Sequence, residues 1–213
     1  MNNTTELVFI LDRSGSMFGL ENDTIGGFNS MLEKQKQEEG AAYVTTVLFN
    51  SHTQLLHDRV KLEAVPPLTR EDYVPGGCTA LLDAVGQTIR HIVTIHRYAR
   101  PEDVPARTVF VITTDGLENA SHRFRLDEVK RMIEHEQEKY GWEFLFLGAN
   151  IDAVGTAGDL GIRPDRSANF HADSQGVEMS FRSLNCALSQ ARKGAPLPST
   201  WKDDVDNDYV NRK

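Results

Sequence analysis

Short runs of unbroken apolar residues, each followed by a stretch of helical periodicity, limit what this chain can fold into. Leu7-Val8-Phe9-Ile10-Leu11, Val109-Phe110-Val111-Ile112 and Phe144-Leu145-Phe146-Leu147 show no apolar–polar alternation. A strand with one wet face alternates; a strand covered on both faces does not, so these runs read as strands between two layers. Tyr43 to Phe49 is a β-branched and aromatic run, and Gln54 to Val60 pairs with it across an Asn50-Ser51 turn as a hairpin. The second arm carries His57, Asp58 and Arg59, which suits a sheet edge where charge discourages further pairing.

The intervening segments carry helical stripes. Ile25, Phe28, Met31 and Leu32 form one, and Leu81, Leu82, Val85, Ile89, Ile92 and Val93 a stronger one. Leu126, Val129, Met132 and Ile133 form a third; Val177, Phe181, Leu184 and Leu188 form a fourth. A shorter helix is expected to start at Asp152 as N-cap and stop at Gly161, and a last short strand is expected near Ser167 to His171. Strands alternating with helices imply an α/β fold: a Rossmann-like, doubly wound, mostly parallel sheet with one antiparallel edge hairpin and helices on both faces. One domain is expected over residues 1–195. Residues 196–213 follow as a polar tail, mobile unless Trp201 or Tyr209 docks it. The tail's aspartates lack the turn glycine and closing glutamate of a calcium loop.

Charge and composition narrow the partners. Lys and Arg total 23 against 31 Asp and Glu, a formal charge of −8, which disfavours nucleic acid or an anionic membrane as the main partner. The 213 residues include two cysteines, Cys78 and Cys186, too few for a disulfide framework and without a CxxC pattern. They read as reduced thiols, Cys78 as a small buried filler. The first apolar run has no basic residue before it and is too short for a signal-peptide core or a membrane span. The expected setting is soluble and cytoplasmic. Seven histidines are scattered; His91 and His96 share a helix but not a face, so no zinc cluster is expected.

Open sheets of this class bind ligands outside the carboxyl ends of their strands, where strand order reverses. The first strand ends in Asp12-Arg13-Ser14-Gly15-Ser16, and another in Thr113-Thr114-Asp115-Gly116. Between them, Gly76-Gly77-Cys78-Thr79 leads into the strongest helix. Asp12-x-Ser14-x-Ser16, Thr79 after a glycine pair, and Asp115-Gly116 together resemble the metal-ion-dependent adhesion site of von Willebrand factor type A domains, over residues 6 to about 190. The resemblance implies strand order 3-2-1-4-5-6. It also implies Mg²⁺ or Mn²⁺ held by the Ser14, Ser16 and Thr79 hydroxyls, with Asp12 and Asp115 acting through waters or by orienting the serines. Neutral direct ligands would leave the cation electrophilic, so a partner protein could supply a Glu or Asp to its open position.

Phe18 and Leu20 either meet that partner or pack on their own helix; Glu21, Glu118 and Asn119 are rim candidates. Two other functions compete with a binding module. One is a metal-assisted phosphohydrolase built on a strand-end aspartate, although Ser14 stands where a dehalogenase-like phosphatase would carry its second acid. The other is a scaffold with a vestigial metal site. No GxSxG, GxxxxGK[ST] or GxGxxG loop occurs.

Overall fold

The computed structural model describes residues 3–212. Six strands form one sheet in the order β3-β2-β1-β4-β5-β6. In chain order they are β1 (Thr5–Asp12), β2 (Ala42–Phe49), β3 (Thr53–Lys61), β4 (Arg107–Thr114), β5 (Glu143–Ala149) and β6 (Ser167–Phe170). All neighbours are parallel except the β2–β3 hairpin at the edge. The helices are α1 (Glu21–Lys36), α2 (Leu81–Tyr98), α3 (Leu126–Tyr140), α4 (Ala153–Asp159), α5 (Ser174–Arg192) and α6 (Asp203–Asn211).

The unbroken apolar runs have a direct cause. Leu7, Phe9 and Leu11 of β1 face a core shared with α1 and α5, while Val8 and Ile10 face a second core shared with α2, α3 and α4. Both side-chain sets of the strand are therefore buried, and neither can be polar. The edge strand β3 departs from this pattern. Its pairing with β2 slips at two places around Thr46, and Arg59 adopts a φ of 49°. Such bulges bend an edge and blunt it against further pairing.

Helix ends follow their local chemistry. The Asp152 side chain accepts from Gly155 N–H at 3.0 Å, and Asp173 accepts from Gly176 N–H at 2.8 Å, each capping the helix that follows. At the end of α3, Gly141 takes a φ of 65°, and the Gly141 and Trp142 N–H groups close back on Gln137 and Glu136 carbonyls. Among the described residues no helix is long and apolar enough to cross a membrane.

The segment after Pro196 takes the docked alternative: Leu197, Trp201 and Val205 are buried, and α6 packs on α5 and β6. Trp201 Nε1–H donates to the Asp165 carbonyl at 2.9 Å, His171 stacks on Tyr209, and Arg212 pairs with Asp173 at 2.7 Å. Leu197, Trp201, Val205 and Tyr209 recur every four residues, a helical stripe hidden among the aspartates. Cys78, expected inside, is exposed. Its backbone N–H turns inward to the Ser51 hydroxyl at 2.9 Å, while its neighbour Thr79 takes the buried position.

Candidate metal centre

β1 and β4 lie side by side at the point where the strand order reverses, and their carboxyl ends present the two aspartates. Asp12 is buried and both its oxygens are engaged. Oδ1 accepts from Ser14 N–H at 2.6 Å and Oδ2 from the Thr114 hydroxyl at 2.5 Å. Its carbonyl accepts from the Tyr73 hydroxyl, a buried contact from the long loop after β3. Asp12 thus fixes the loop after β1 to the end of β4. Burial pushes its carboxyl above the ordinary aspartate range, and the Thr114 and Ser14 donors pull it back in part.

A chain of oxygens leads outward from there. Ser14 Oγ and Ser16 Oγ are 3.0 Å apart, and Ser16 Oγ–H donates to Asp115 Oδ1 at 2.5 Å. The other carboxylate oxygen of Asp115, Oδ2, is buried with no hydrogen-bond partner among the described residues. Burial raises the Asp115 carboxyl to about 6; the Ser16 hydroxyl lowers it, and the nearby Asp12 charge raises it again. Neither aspartate has an ion-pair partner among the described residues.

Thr79 reaches the same point from the other side. A Cβ built on Gly116 would stand 3.0 Å from Thr79 Oγ1 and 3.4 Å from Ser16 Oγ, so both hydroxyls converge over a glycine that leaves the space between them open. Backbone bonds hold the three loops in register. Gly15 N–H donates to the Gly77 carbonyl at 3.0 Å and Gly76 N–H to the Arg13 carbonyl at 2.9 Å. Gly77 has a φ of 77°, and its missing side chain lets Ser51 Oγ approach to 2.8 Å of the Cβ position. Thr79 N–H donates to Asn119 Oδ1 at 2.9 Å, and Asn119 N–H returns to the Thr79 carbonyl at 3.0 Å.

Ser14, Ser16, Thr79 and Asp115 therefore meet, with Asp12 behind them. The rim candidates divide. Asn119 clamps Thr79. Glu118 is consumed by the start of α2 and its own loop, accepting from the N–H groups of Leu82, Ala120 and Ser121. Glu21 accepts from Gly19 N–H at 2.9 Å. Phe18 is exposed, whereas Leu20 packs into the core. Thr114 and Tyr73 hold the site without belonging to the sequence motif. Thr114 was findable, because the two strand ends are neighbours and it directly precedes Asp115; Tyr73 carried no sequence signal.

The donor set suits a hard divalent cation. Such ions take oxygen ligands, and Mg²⁺ keeps several waters rather than demanding an all-protein cage. Three hydroxyls, two uncompensated carboxylates and an orphaned buried oxygen match that preference. Among the described residues no group of three or more His, Cys, Asp or Glu could hold a metal by itself.

No protein-family model matches the sequence, and no curated protein does. Solved structures do match in shape. A von Willebrand factor type A structure from Catenulispora acidiphila aligns with a TM-score of 0.58 at 14% identity, over 86% of this chain and 42% of that one. The vWF domain of the type V pili tip protein Mfa5 from Porphyromonas gingivalis aligns at 0.59 and 10%, over 87% of this chain and 96% of that one. Proximal thread matrix protein 1 from the mussel byssus, solved with a zinc-occupied MIDAS motif, aligns at 0.57 and 12%, over 88% of this chain and 46% of that one. This chain thus spans less than half of two of these three structures. With six mostly parallel strands, one antiparallel edge pair and helices on both faces, it has the α/β fold of von Willebrand factor type A domains.

Proposed function

We propose that this protein is a divalent-cation-dependent binding module that captures an acidic side chain of a partner protein. The observation that carries the reading is a missing countercharge: Asp12 and Asp115 are buried together with no Lys, Arg or His paired to either among the described residues, beside Ser14, Ser16 and Thr79 hydroxyls. Ser14, Ser16 and Thr79 would hold Mg²⁺ or Mn²⁺ directly; Asp115 and Asp12 would act mainly through waters and by orienting the serines. When bound, the ion supplies a Lewis-acidic position for an anionic oxygen of the partner. Asp12 keeps Ser14 turned toward the cluster through its N–H, Asn119 keeps Thr79 in place, and Gly116 leaves room between them.

A mussel byssus protein of the same fold with zinc in its MIDAS motif supports metal binding at this position. A cytosolic setting is supported by the free, exposed thiols of Cys78 and Cys186. The hydrolase alternative has less support, because the Asp12 nucleophile it needs spends both carboxylate oxygens on Ser14 and Thr114.

The test is thermal unfolding with Mg²⁺, Mn²⁺ or chelator. Metal at 100 times its Kd is expected to add about 2.7 kcal/mol of stability, and Asp115→Ala to remove that gain while the protein stays folded. An intact fold with no shift in millimolar metal would leave the vestigial scaffold as the better account.

A further inference from the structure

The loops that carry the oxygen cluster also carry apolar side chains with nothing over them. Phe18 is 66% exposed, Leu117 62% and Val74 58%. They come from three different loops, and each stands next to a residue that locks the cluster. Phe18 follows Ser16 by two positions, and its ring edge lies 4.0 Å from the Cβ position of Gly15. Leu117 follows Gly116, the glycine under Thr79 and Ser16. Val74 follows Tyr73, whose hydroxyl holds the Asp12 carbonyl, and precedes by two residues Gly76, which donates to the Arg13 carbonyl at 2.9 Å. The other large apolar side chains exposed among the described residues lie on strands or helices. Single exposed apolar residues are ordinary; three on the loops that build one polar cluster, each within a residue or two of a group holding it, mark a contact surface.

Charge limits what that surface can accept. The chain carries a formal charge of −8, so a partner segment with several carboxylates meets repulsion that one carboxylate at the cation does not. Glu118, the acidic residue nearest Leu117, is spent on backbone donors and offers no competing contact. The exposed apolar side chains point to apolar groups beside the single acid as the source of added affinity.

We infer that Phe18, Leu117 and Val74 form an apolar collar around the oxygen cluster, and that the partner segment is a Glu or Asp flanked within one or two residues by large apolar side chains. The inference rests on the reading of the cluster as a divalent-cation site, and the experiment separates the two.

Fluorescently labelled peptides, blocked at both ends and built on Gly-Glu-Gly, Phe-Glu-Leu, Glu-Glu-Glu and Phe-Gln-Leu, are titrated with protein in Mg²⁺ and in chelator, and binding is read by anisotropy. Phe-Glu-Leu is expected to bind about tenfold tighter than Gly-Glu-Gly, the gain from covering one to two apolar side chains. Both are expected to lose binding in chelator, and Phe-Gln-Leu to bind no better than background. Phe18→Ser with Leu117→Ser should bring Phe-Glu-Leu down to the Gly-Glu-Gly level while leaving the metal-induced melting shift and Gly-Glu-Gly binding unchanged. Equal binding of Phe-Glu-Leu and Gly-Glu-Gly, tightest binding by Glu-Glu-Glu, or an apolar advantage that survives the double substitution overturns the collar and leaves the metal reading intact. Binding of Phe-Glu-Leu that persists in chelator, or is matched by Phe-Gln-Leu, overturns the metal reading instead.

Discussion

The two ends of the sheet treat buried charge in opposite ways. At the amino end Glu6 is 0% exposed, and its Oε2 accepts from Arg59 at 2.8 Å with His96 Nε2 at 3.4 Å. Buried Arg166 pairs with Glu143 at 2.8 Å and Asp165 at 2.7 Å. Arg192 spreads its guanidinium over the carbonyls of Gln35, Glu38 and Gly40 at the end of α1. At the carboxyl end Asp12 and Asp115 are buried as deeply, yet among the described residues only hydroxyls and backbone N–H groups meet them. An orphaned oxygen alone does not separate the two ends, since Glu6 Oε1 also lacks a hydrogen-bond partner among the described residues. The countercharge does: Glu6 has a guanidinium against it, and among the described residues the aspartate pair has none. A buried charge without a partner is expensive, and that cost is the ground for the proposed cation at the carboxyl end.

The sharpest way to break this contrast is to remove the internal countercharge. Arg59→Met leaves Glu6 buried without its guanidinium, and is expected to cost about 3 kcal/mol in chemical denaturation, with or without divalent metal. A loss that metal restores would mean the amino end is also open to ions. The next effect has the opposite sign. Asp115→Asn removes one of two mutually repelling carboxylates and keeps an acceptor for the Ser16 hydroxyl. In chelator at pH 7.5 it is expected to stabilise the protein by about 1–2 kcal/mol after allowance for solvent screening, and to abolish stabilisation by metal. Destabilisation in chelator would show that the aspartate pair is already satisfied by the protein.

The same division explains what could be read from the chain. Asp12, Ser14, Ser16, Thr79 and Asp115 each sit within a few residues of a strand end or helix start, a placement legible from local pattern, whereas the meeting of their loops followed from the resemblance and the strand order it implies. The strands were legible because burial on two faces leaves β1 no polar position between Glu6 and Asp12. The supports were not. Tyr73 reaches Asp12 across 61 residues of chain, and no local periodicity encodes that meeting. The Glu6–Arg59–His96 contact needs β3 to bulge and α2 to end over β1, both tertiary outcomes. The final helix was hidden for a different reason: its aspartates dominated the reading, although Trp201 and Val205 sit four residues apart in a stripe that buries both.

The finest test of the contrast is proton competition. In the metal-free protein the Asp115 carboxyl lies at about 6, above its ordinary 3.8, because burial and the Asp12 charge outweigh the Ser16 hydroxyl. A carboxyl raised in the folded state adds stability below its unfolded pKa and loses it as pH rises through the folded one. Without metal, the Asp115 contribution is therefore fully present below about pH 4 and gone above about pH 6. Metal reverses the preference, because the cation favours the carboxylate, so each ion bound must displace the proton. Affinity for Mg²⁺ is expected to be flat above pH 7 and to fall about tenfold per pH unit below pH 6, with close to one proton released per ion at pH 5. Calorimetry in buffers of different ionisation enthalpy counts that proton directly. Affinity unchanged between pH 7 and pH 5, or a release of zero protons, would place the ion away from Asp115, whereas Asp115→Asn should show neither proton release nor a slope.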